Sequence, residues 1–355
     1  MGESETSATR EDYIRSHFRG QAKACDVLGS PFTASLCRAI ADVIDDGTAA
    51  GRAALGWPGN PRDDALALRF CGALHALVLT KADSELAAAY PPTGATEERL
   101  RDLLPRVLAR NTDRILYFLE SAPQTNEVAR SGMLLPGFLT IARETTLPLA
   151  LFEIGSSAGL NLLFDRFYYR YGDTEWGDST SPVRLAPEVR GKTPPLTGEL
   201  KIVSREGCDL SPVDVSDPQA RLRLRSYIWP DQALRQRRIN AAIELARAAK
   251  ISVEKSDALN FIRRRLASTK TGVTQTLFHS IMWQYMPESV RREIETEVTK
   301  IGAAANKDVP LAWLRMEPLD TKQPHATLTL TLWPGGETRH LAKCDYHGRW
   351  IEWIG

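Results

Sequence analysis

The sequence predicts an α/β protein: a doubly wound parallel sheet ending in an antiparallel pair, preceded by an all-α domain. Three observations predict it. Residues 12–146 carry apolar positions at three- and four-residue spacing almost throughout, which is the period of amphipathic helices. After Pro148, short apolar runs rich in β-branched and aromatic residues alternate with longer helical stretches, as parallel strands and crossover helices do. Finally, Leu149-Ala150-Leu151-Phe152-Glu153-Ile154 breaks at Gly155-Ser156-Ser157-Ala158-Gly159 into a small-residue turn that opens a helix, the junction where such sheets hold ligands.

In the first domain, 1–146, helices are expected at 34–44, 64–80 and 97–119 among roughly six or more. Trp57-Pro58-Gly59-Asn60-Pro61 and Tyr90-Pro91-Pro92-Thr93-Gly94 break them. In the second domain, 147–355, strands are expected at 149–154, 201–204, 251–255, 276–282 and 310–316. Helices should fill 160–167, 218–227, 231–249 and 287–304. Alternation at 326–333, 340–344 and 350–354, with Pro334-Gly335-Gly336 as a turn, predicts antiparallel strands. Residues 168–200 exceed a minimal fold. With Tyr168, Tyr169, Tyr171 and Trp176 they are too aromatic for a linker, and they predict edge cover for the sheet or a hairpin lid.

The bulk properties exclude several partners. A chain of 355 residues, 43% hydrophobic and 25% charged, suits a globular protein with two cores. Its 45 basic and 44 acidic residues leave a net charge of +1, so neither nucleic acid nor an anionic membrane is an expected partner. The Arg-rich runs 221–225 and 235–238 are diluted by Asp217, Asp231 and Glu244 and read as a solvated face. The five cysteines lack C-x-x-C or Cys/His spacing, so reduced, packing thiols and no metal are expected. No apolar run approaches the ~20 residues of a membrane span, and the polar residues 1–10 do not read as a signal peptide or anchor. A cytoplasmic location is expected. Nothing in the sequence indicates an oligomeric state.

The strand-turn junction carries two chemistries in one string. Glu153-x-Gly155-x-x-x-Gly159 matches the first motif of S-adenosylmethionine-dependent methyltransferases, and Gly155-x-Ser157-x-Gly159 matches the nucleophile elbow of α/β-hydrolases. In the first reading, a helix N-terminus meets an anionic group, the glycines let the ligand approach, and Glu153 accepts from its ammonium or orients the loop. Asp209, after the second strand, would hold ribose hydroxyls or simply form a turn. Asp257, in Ser256-Asp257-Ala258, would hold the adenine amino group or cap a helix. The fourth strand runs into His279-Ser280 and Trp283-Gln284-Tyr285, where His279 is a candidate general base and Tyr285 a candidate stacking residue. In the hydrolase reading Ser157 is the nucleophile, His347 or His325 the base, and Asp320 or Asp257 the orienting acid. The helical upstream half offers no strand for an oxyanion loop, which favours the first reading.

These residues resemble a specific group, the bacterial family labelled domain of unknown function 2332, itself similar to class I methyltransferases. The resemblance rests on Phe152 to Leu162, Asp209-Leu210-Ser211-Pro212-Val213-Asp214-Val215, Trp229-Pro230-Asp231-Gln232, His279-Ser280 with Trp283-Gln284-Tyr285, and His347-Gly348-Arg349-Trp350, and spans nearly the whole chain. It implies a Rossmann-like class I methyltransferase sheet, S-adenosylmethionine as cofactor and methyl transfer to a small molecule. The cofactor would lie against Glu153, Gly155, Ser156, Ser157, Gly159, Asn161, Asp209, Asp257, Ala258 and Ser280, with His279 and Tyr285 on the catalytic side. A ligand-binding protein without chemistry on the same fold is the alternative.

Overall fold

The computed structural model describes residues 2–267, 270–320 and 323–355. In chain order the first helices are α1 (Gly2–Val27), α2 (Pro31–Val43), α3 (Ala49–Leu55), α4 (Leu66–Leu79), α5 (Ser84–Ala89), α6 (Glu97–Arg110), α7 (Thr112–Leu119) and α8 (Ser131–Thr145). Later come α9 (Pro218–Ser226), α10 (Ala233–Ala248), α11 (Ala258–Leu266) and α12 (Glu288–Ala303). The strands are β1 (Leu149–Ile154), β2 (Tyr168–Tyr171), β3 (Thr174–Trp176), β4 (Arg184–Leu185), β5 (Glu188–Gly191) and β6 (Ile202–Asp209), then β7 (Glu254–Lys255), β8 (Thr274–Ser280), β9 (Leu311–Glu317), β10 (Ala326–Trp333), β11 (Glu337–Cys344) and β12 (Trp350–Trp353). The chain divides into two compact units. One holds the residues up to Thr125 with Pro218–Arg237, the other Asn126–Asp217 with Arg238–Gly355.

The first unit is helical, as the period predicts. The stretch expected as one helix over 97–119 is two, because Asn111 leaves helical geometry (φ −118, ψ 18) and donates its side-chain amide to Asp83 Oδ2 at 2.8 Å. Residues 218–237 count with these helices through specific contacts. Asp231 accepts the hydroxyl of Ser30 and, at 3.0 Å, the amide of Phe32, so it caps the start of α2 from a distant part of the sequence. His75 of α4 bonds the Ser226 carbonyl through Nδ1 at 3.0 Å. A Cβ at Gly72 would stand 2.4 Å from the Tyr227 ring, so glycine lets that ring seat on α4.

The second unit is built on a nine-stranded sheet in the order β5-β12-β11-β10-β9-β8-β1-β6-β7. The strands from β7 through β9 are parallel, with β6 and β8 flanking β1. β1 is buried along its whole length, as an apolar strand covered on both faces must be. Strand order therefore reverses between β1 and β8. That reversal is the switch point at which doubly wound sheets open a crevice beyond the carboxyl ends of their strands. The three segments expected at 326–333, 340–344 and 350–354 are antiparallel strands, one more than a single pair: β10 runs against β9, β11 against β10 and β12 against β11.

Alternation along the strands sorts the two faces. Phe152, Leu277 and Trp313 share a rung and face α11, where Phe152 meets Phe261 with centroids 6.5 Å apart. Phe278 and Leu314, one residue on, face α8, where Phe278 meets Phe138 edge to face at 5.1 Å. A Cβ at Gly137 would lie 2.6 Å from Leu314, so a glycine lets α8 lie close to the sheet. α8 thus belongs with the strands, and the units divide at Thr125 rather than at 146. Residues 168–200 are edge cover: β2, β3 and β4 form a small sheet of their own, and β5 pairs with β12 at the outer edge. Tyr171 fastens the small sheet by donating its hydroxyl to Gly132 of α8 at 2.5 Å.

Candidate functional site

The loop after β1 is wound tightly, with Gly155, Ser157 and Gly159 at φ of +66, +53 and +69. Its amides are used by the protein. Ser156 donates to the Cys208 carbonyl at 3.0 Å, Ser157 to Asp209 Oδ2 at 2.8 Å and Leu160 to Asn126 Oδ1 at 2.9 Å. Asn161, buried, accepts the Ser131 hydroxyl at 2.7 Å and donates to the Glu127 carbonyl at 3.4 Å. These pulls give the following segment a different form from the one expected. Leu160–Arg166 is a seven-residue 3-10 helix, kinked at Leu163 (φ −102, ψ 17), in place of an α-helix over 160–167. A short kinked segment whose leading amides are engaged has little dipole to offer an anion, so the helix-terminus argument made from sequence does not hold here.

Packing explains the two glycines. A Cβ at Gly155 would meet the Met282 side chain at 2.9 Å, and one at Gly159 would meet Ile251 at 2.8 Å. Gly207 of β6, which sequence reasoning did not single out, belongs to the same design. Its absent Cβ leaves room for Ser156 Oγ, which would otherwise stand 2.3 Å away.

Glu153, next to last in β1, has 2% of its surface exposed and an Oε2 without a hydrogen-bond partner. Burial drives its pKa well above the carboxylate range; the negative charge of Asp209 adds to that, and the Arg130 guanidinium opposes it. Burial thus favours its neutral form. Arg130, which the sequence gave no reason to select, donates to the Tyr346 carbonyl at 3.0 Å and to the Ser280 carbonyl at 3.2 Å. It brings the loop after β11 to the end of β8.

His279 and Glu153 lie on opposite faces of the sheet. Glu153 is the register partner of Phe278, on the α8 face, and His279 pairs with Arg315 one rung on, on the other face. Inside that second face His279 Nδ1 lies 2.7 Å from Glu317 Oε1, and its ring stacks on Trp283 at 5.0 Å. Its Nε2 is buried and has no hydrogen-bond partner. Glu317, the last residue of β9, was not selected from sequence, although it repeats the acid-at-strand-end signal that drew attention to Glu153. Tyr285 is 76% exposed on the turn that follows β8.

The other expected residues divide in two. Ser156, Ser157, Asp209 and Asn161 meet around the loop after β1, through the bonds given above. Asp257 and Ala258 open α11 instead: Asp257 is its N-cap, and its carboxylate accepts the backbone and side-chain amides of Asn260 at 2.9 and 2.7 Å, which holds its pKa below the usual value. The hydroxyl of Ser157 is buried and has no hydrogen-bond partner, so neither His347 nor His325 stands as a base hydrogen-bonded to it. Among the described residues no group of three or more His, Cys, Asp or Glu side chains has the arrangement to hold a metal ion. Nor is any helix long and apolar enough to cross a membrane.

The family model described as "Uncharacterized protein conserved in bacteria (DUF2332)" matches residues 15–353, nearly the whole chain and both units. The chain belongs to this family. No curated protein and no solved structure matches the sequence. In this DUF2332 protein the carboxyl edge of the sheet gathers the candidate groups. There Glu153 Oε2, Ser157 Oγ, His279 Nε2 and Glu317 Oε2 are all buried without partners, at the ends of β1, β8 and β9 and in the loop after β1. Folded proteins leave few buried polar atoms unpaired. These four atoms make that edge the candidate site.

Proposed function

We propose that this DUF2332 protein is an S-adenosylmethionine-dependent methyltransferase acting on a small molecule, on a class I methyltransferase-like sheet. The observation that carries the reading is the pairing of two strand-end acids, Glu153 on β1 and Asp209 on β6, beside the Gly155–Gly159 loop at the switch point. Two carboxyl groups support this choice of cofactor. Glu153 with its unpartnered Oε2 would receive the amino-acid end, and Asp209 the ribose hydroxyls. The sulfonium supplies an already activated methyl group, so the protein's task is chiefly to hold donor and acceptor in line. His279, on the other face of the sheet but at the same carboxyl edge, is the candidate proton acceptor for the methylated group.

Calorimetric titration of the purified protein with S-adenosylmethionine tests the binding step, and saturable one-site binding is expected. A binder without chemistry would show that binding but yield no methylated product with any acceptor. The serine hydrolase reading is favoured by one observation, the left-handed φ of Ser157. Labelling at Ser157 by a fluorophosphonate would support it; an unlabelled protein is expected.

A further inference from the structure

Glu317 makes a small assembly on the face of the sheet away from Glu153. Its Oε1 meets three donors: His279 Nδ1 at 2.7 Å, the amide of Met282 at 3.1 Å and the amide of Trp283 at 3.4 Å. A carboxylate only accepts, so the shared proton sits on Nδ1 and the lone pair of the ring is on Nε2. That nitrogen is buried and unpartnered, under the Trp283 ring stacked at 5.0 Å and 17°. A second, independent feature is Ile281, a β-branched residue at φ +52 between His279 and the turn. Such a residue is strained in the left-handed region. The strain is held by the Ile281 amide on the Met316 carbonyl at 3.0 Å and by the two amides that Glu317 accepts immediately afterwards. A purely structural histidine would require neither an unpaired nitrogen nor a strained neighbour.

We propose that Glu317 is the positioning residue of a proton-accepting site, in which His279 Nε2 takes the proton of a bound O–H or N–H compound. The proposal rests on the methyl-transfer reading above in naming the acceptor class: a hydroxyl, amine or amide that loses a proton as it is methylated. In the proton step the X–H bond breaks and its electron pair stays on X. The proton becomes Nε2–H of an imidazolium whose charge the Glu317 carboxylate balances. The other charged and titratable groups around this centre are few. Arg315 of β9 pairs with His279 in register, lies over Trp313 at 4.2 Å and feels Glu295 of α12. Tyr346 faces Glu317, and its hydroxyl is pushed up by burial first and by the Glu317 charge second.

Nitrogen NMR of the full chain with 15N-labelled histidine tests this, with the His279 signals assigned by loss in His279→Gln. In the wild type at pH 8, Nδ1 should carry the proton and Nε2 should be bare. In Glu317→Gln the side-chain amide can donate as well as accept, so the ring proton should no longer be held on Nδ1 alone. A proton on Nε2 in the wild type, or a tautomer unmoved by Glu317→Gln, overturns the proposal. Should that variant not fold, the wild-type tautomer decides alone. Calorimetry with S-adenosylmethionine separates the two claims: binding with the wrong tautomer removes only this proposal, and the right tautomer without binding removes only the cofactor.

Discussion

The carboxylate of Asp209 accepts the amide of Ser157 across 2.8 Å, joining the end of β6 to the loop that follows the neighbouring strand β1. The same carboxylate takes the Ser211 amide at 2.9 Å, and its charge acts on the buried Glu153. One acid thus shapes the loop and adds to the burial that raises the pKa of the residue behind it.

Removing that acid should loosen the loop. Asp209→Ala leaves the part-buried Ser157 amide without its acceptor, a loss of about 1–3 kcal/mol. Asp209→Asn keeps one acceptor oxygen and should lose less than half as much. Denaturant titrations of the two variants and the wild type check this. Equal stability of all three would mean that the bond contributes nothing.

Glu153 gives the second unit a pH dependence of definite sign. A carboxyl that is neutral when folded and ionised when unfolded takes up a proton on folding, so stability falls as pH rises above the ordinary carboxylate range towards the raised value. Glu153→Gln keeps the shape and removes the titration. The variant should match the wild type near pH 4 and exceed it increasingly up to pH 8, read from thermal midpoints on a pH series. Parallel curves for the two proteins would show that Glu153 ionises in the fold. The neutral amide is a better probe of the site than a substitution at Gly155, where φ is +66 and even a Cβ meets Met282 at 2.9 Å.

His75 gives the helical unit the opposite slope. Burial lowers its pKa to about 4, with the Ser226 carbonyl opposing that shift. The folded state therefore binds fewer protons than the unfolded one between pH 6.5 and about 4. Stability is intact above pH 6.5 and falls across that window by on the order of 3 kcal/mol. A His75→Gln variant should flatten the fall between pH 6.5 and 4, and an unchanged acid limb would show that His75 accepts its proton without unfolding.

Asp231 should be worth more than an ordinary surface acid. It accepts both the Ser30 hydroxyl and the Phe32 amide at the first turn of α2, and Asp231→Ala removes both acceptors at once. A loss of about 1–3 kcal/mol in the denaturant midpoint is expected. A change below a few tenths would mean that water replaces the cap.

Much of this framework was legible in the sequence, and the exceptions share a cause. β1 and β10 fall where period-two and apolar patterning put them, at Leu149–Ile154 and Ala326–Trp333, because each lies deep in the sheet and its own side chains decide its state. The segment 160–167 reads as helix locally, yet Asn126, Glu127 and Ser131 draw its first residues away, and those partners lie some thirty residues upstream. No local pattern carries that information. The placement of 218–237 with the helical unit was hidden for the same reason, since it depends on Asp231 reaching Ser30. At the site, Glu153 was visible as an acid ending an apolar run. Glu317 has the same signature and was passed over because the run around it was closed one residue early, at Met316. Arg130 has no signal at all. It is an arginine in a three-residue 3-10 turn, made significant only by the Tyr346 and Ser280 carbonyls it bridges.

The most direct test of the account is calorimetric titration of the full chain with S-adenosylmethionine at pH 7.5, alongside the Asp209→Ala variant. The account predicts one saturable site in the wild type, weakened at least tenfold, about 1.4 kcal/mol, in the variant. An absence of binding heat at millimolar S-adenosylmethionine, with the protein folded by circular dichroism, would contradict it.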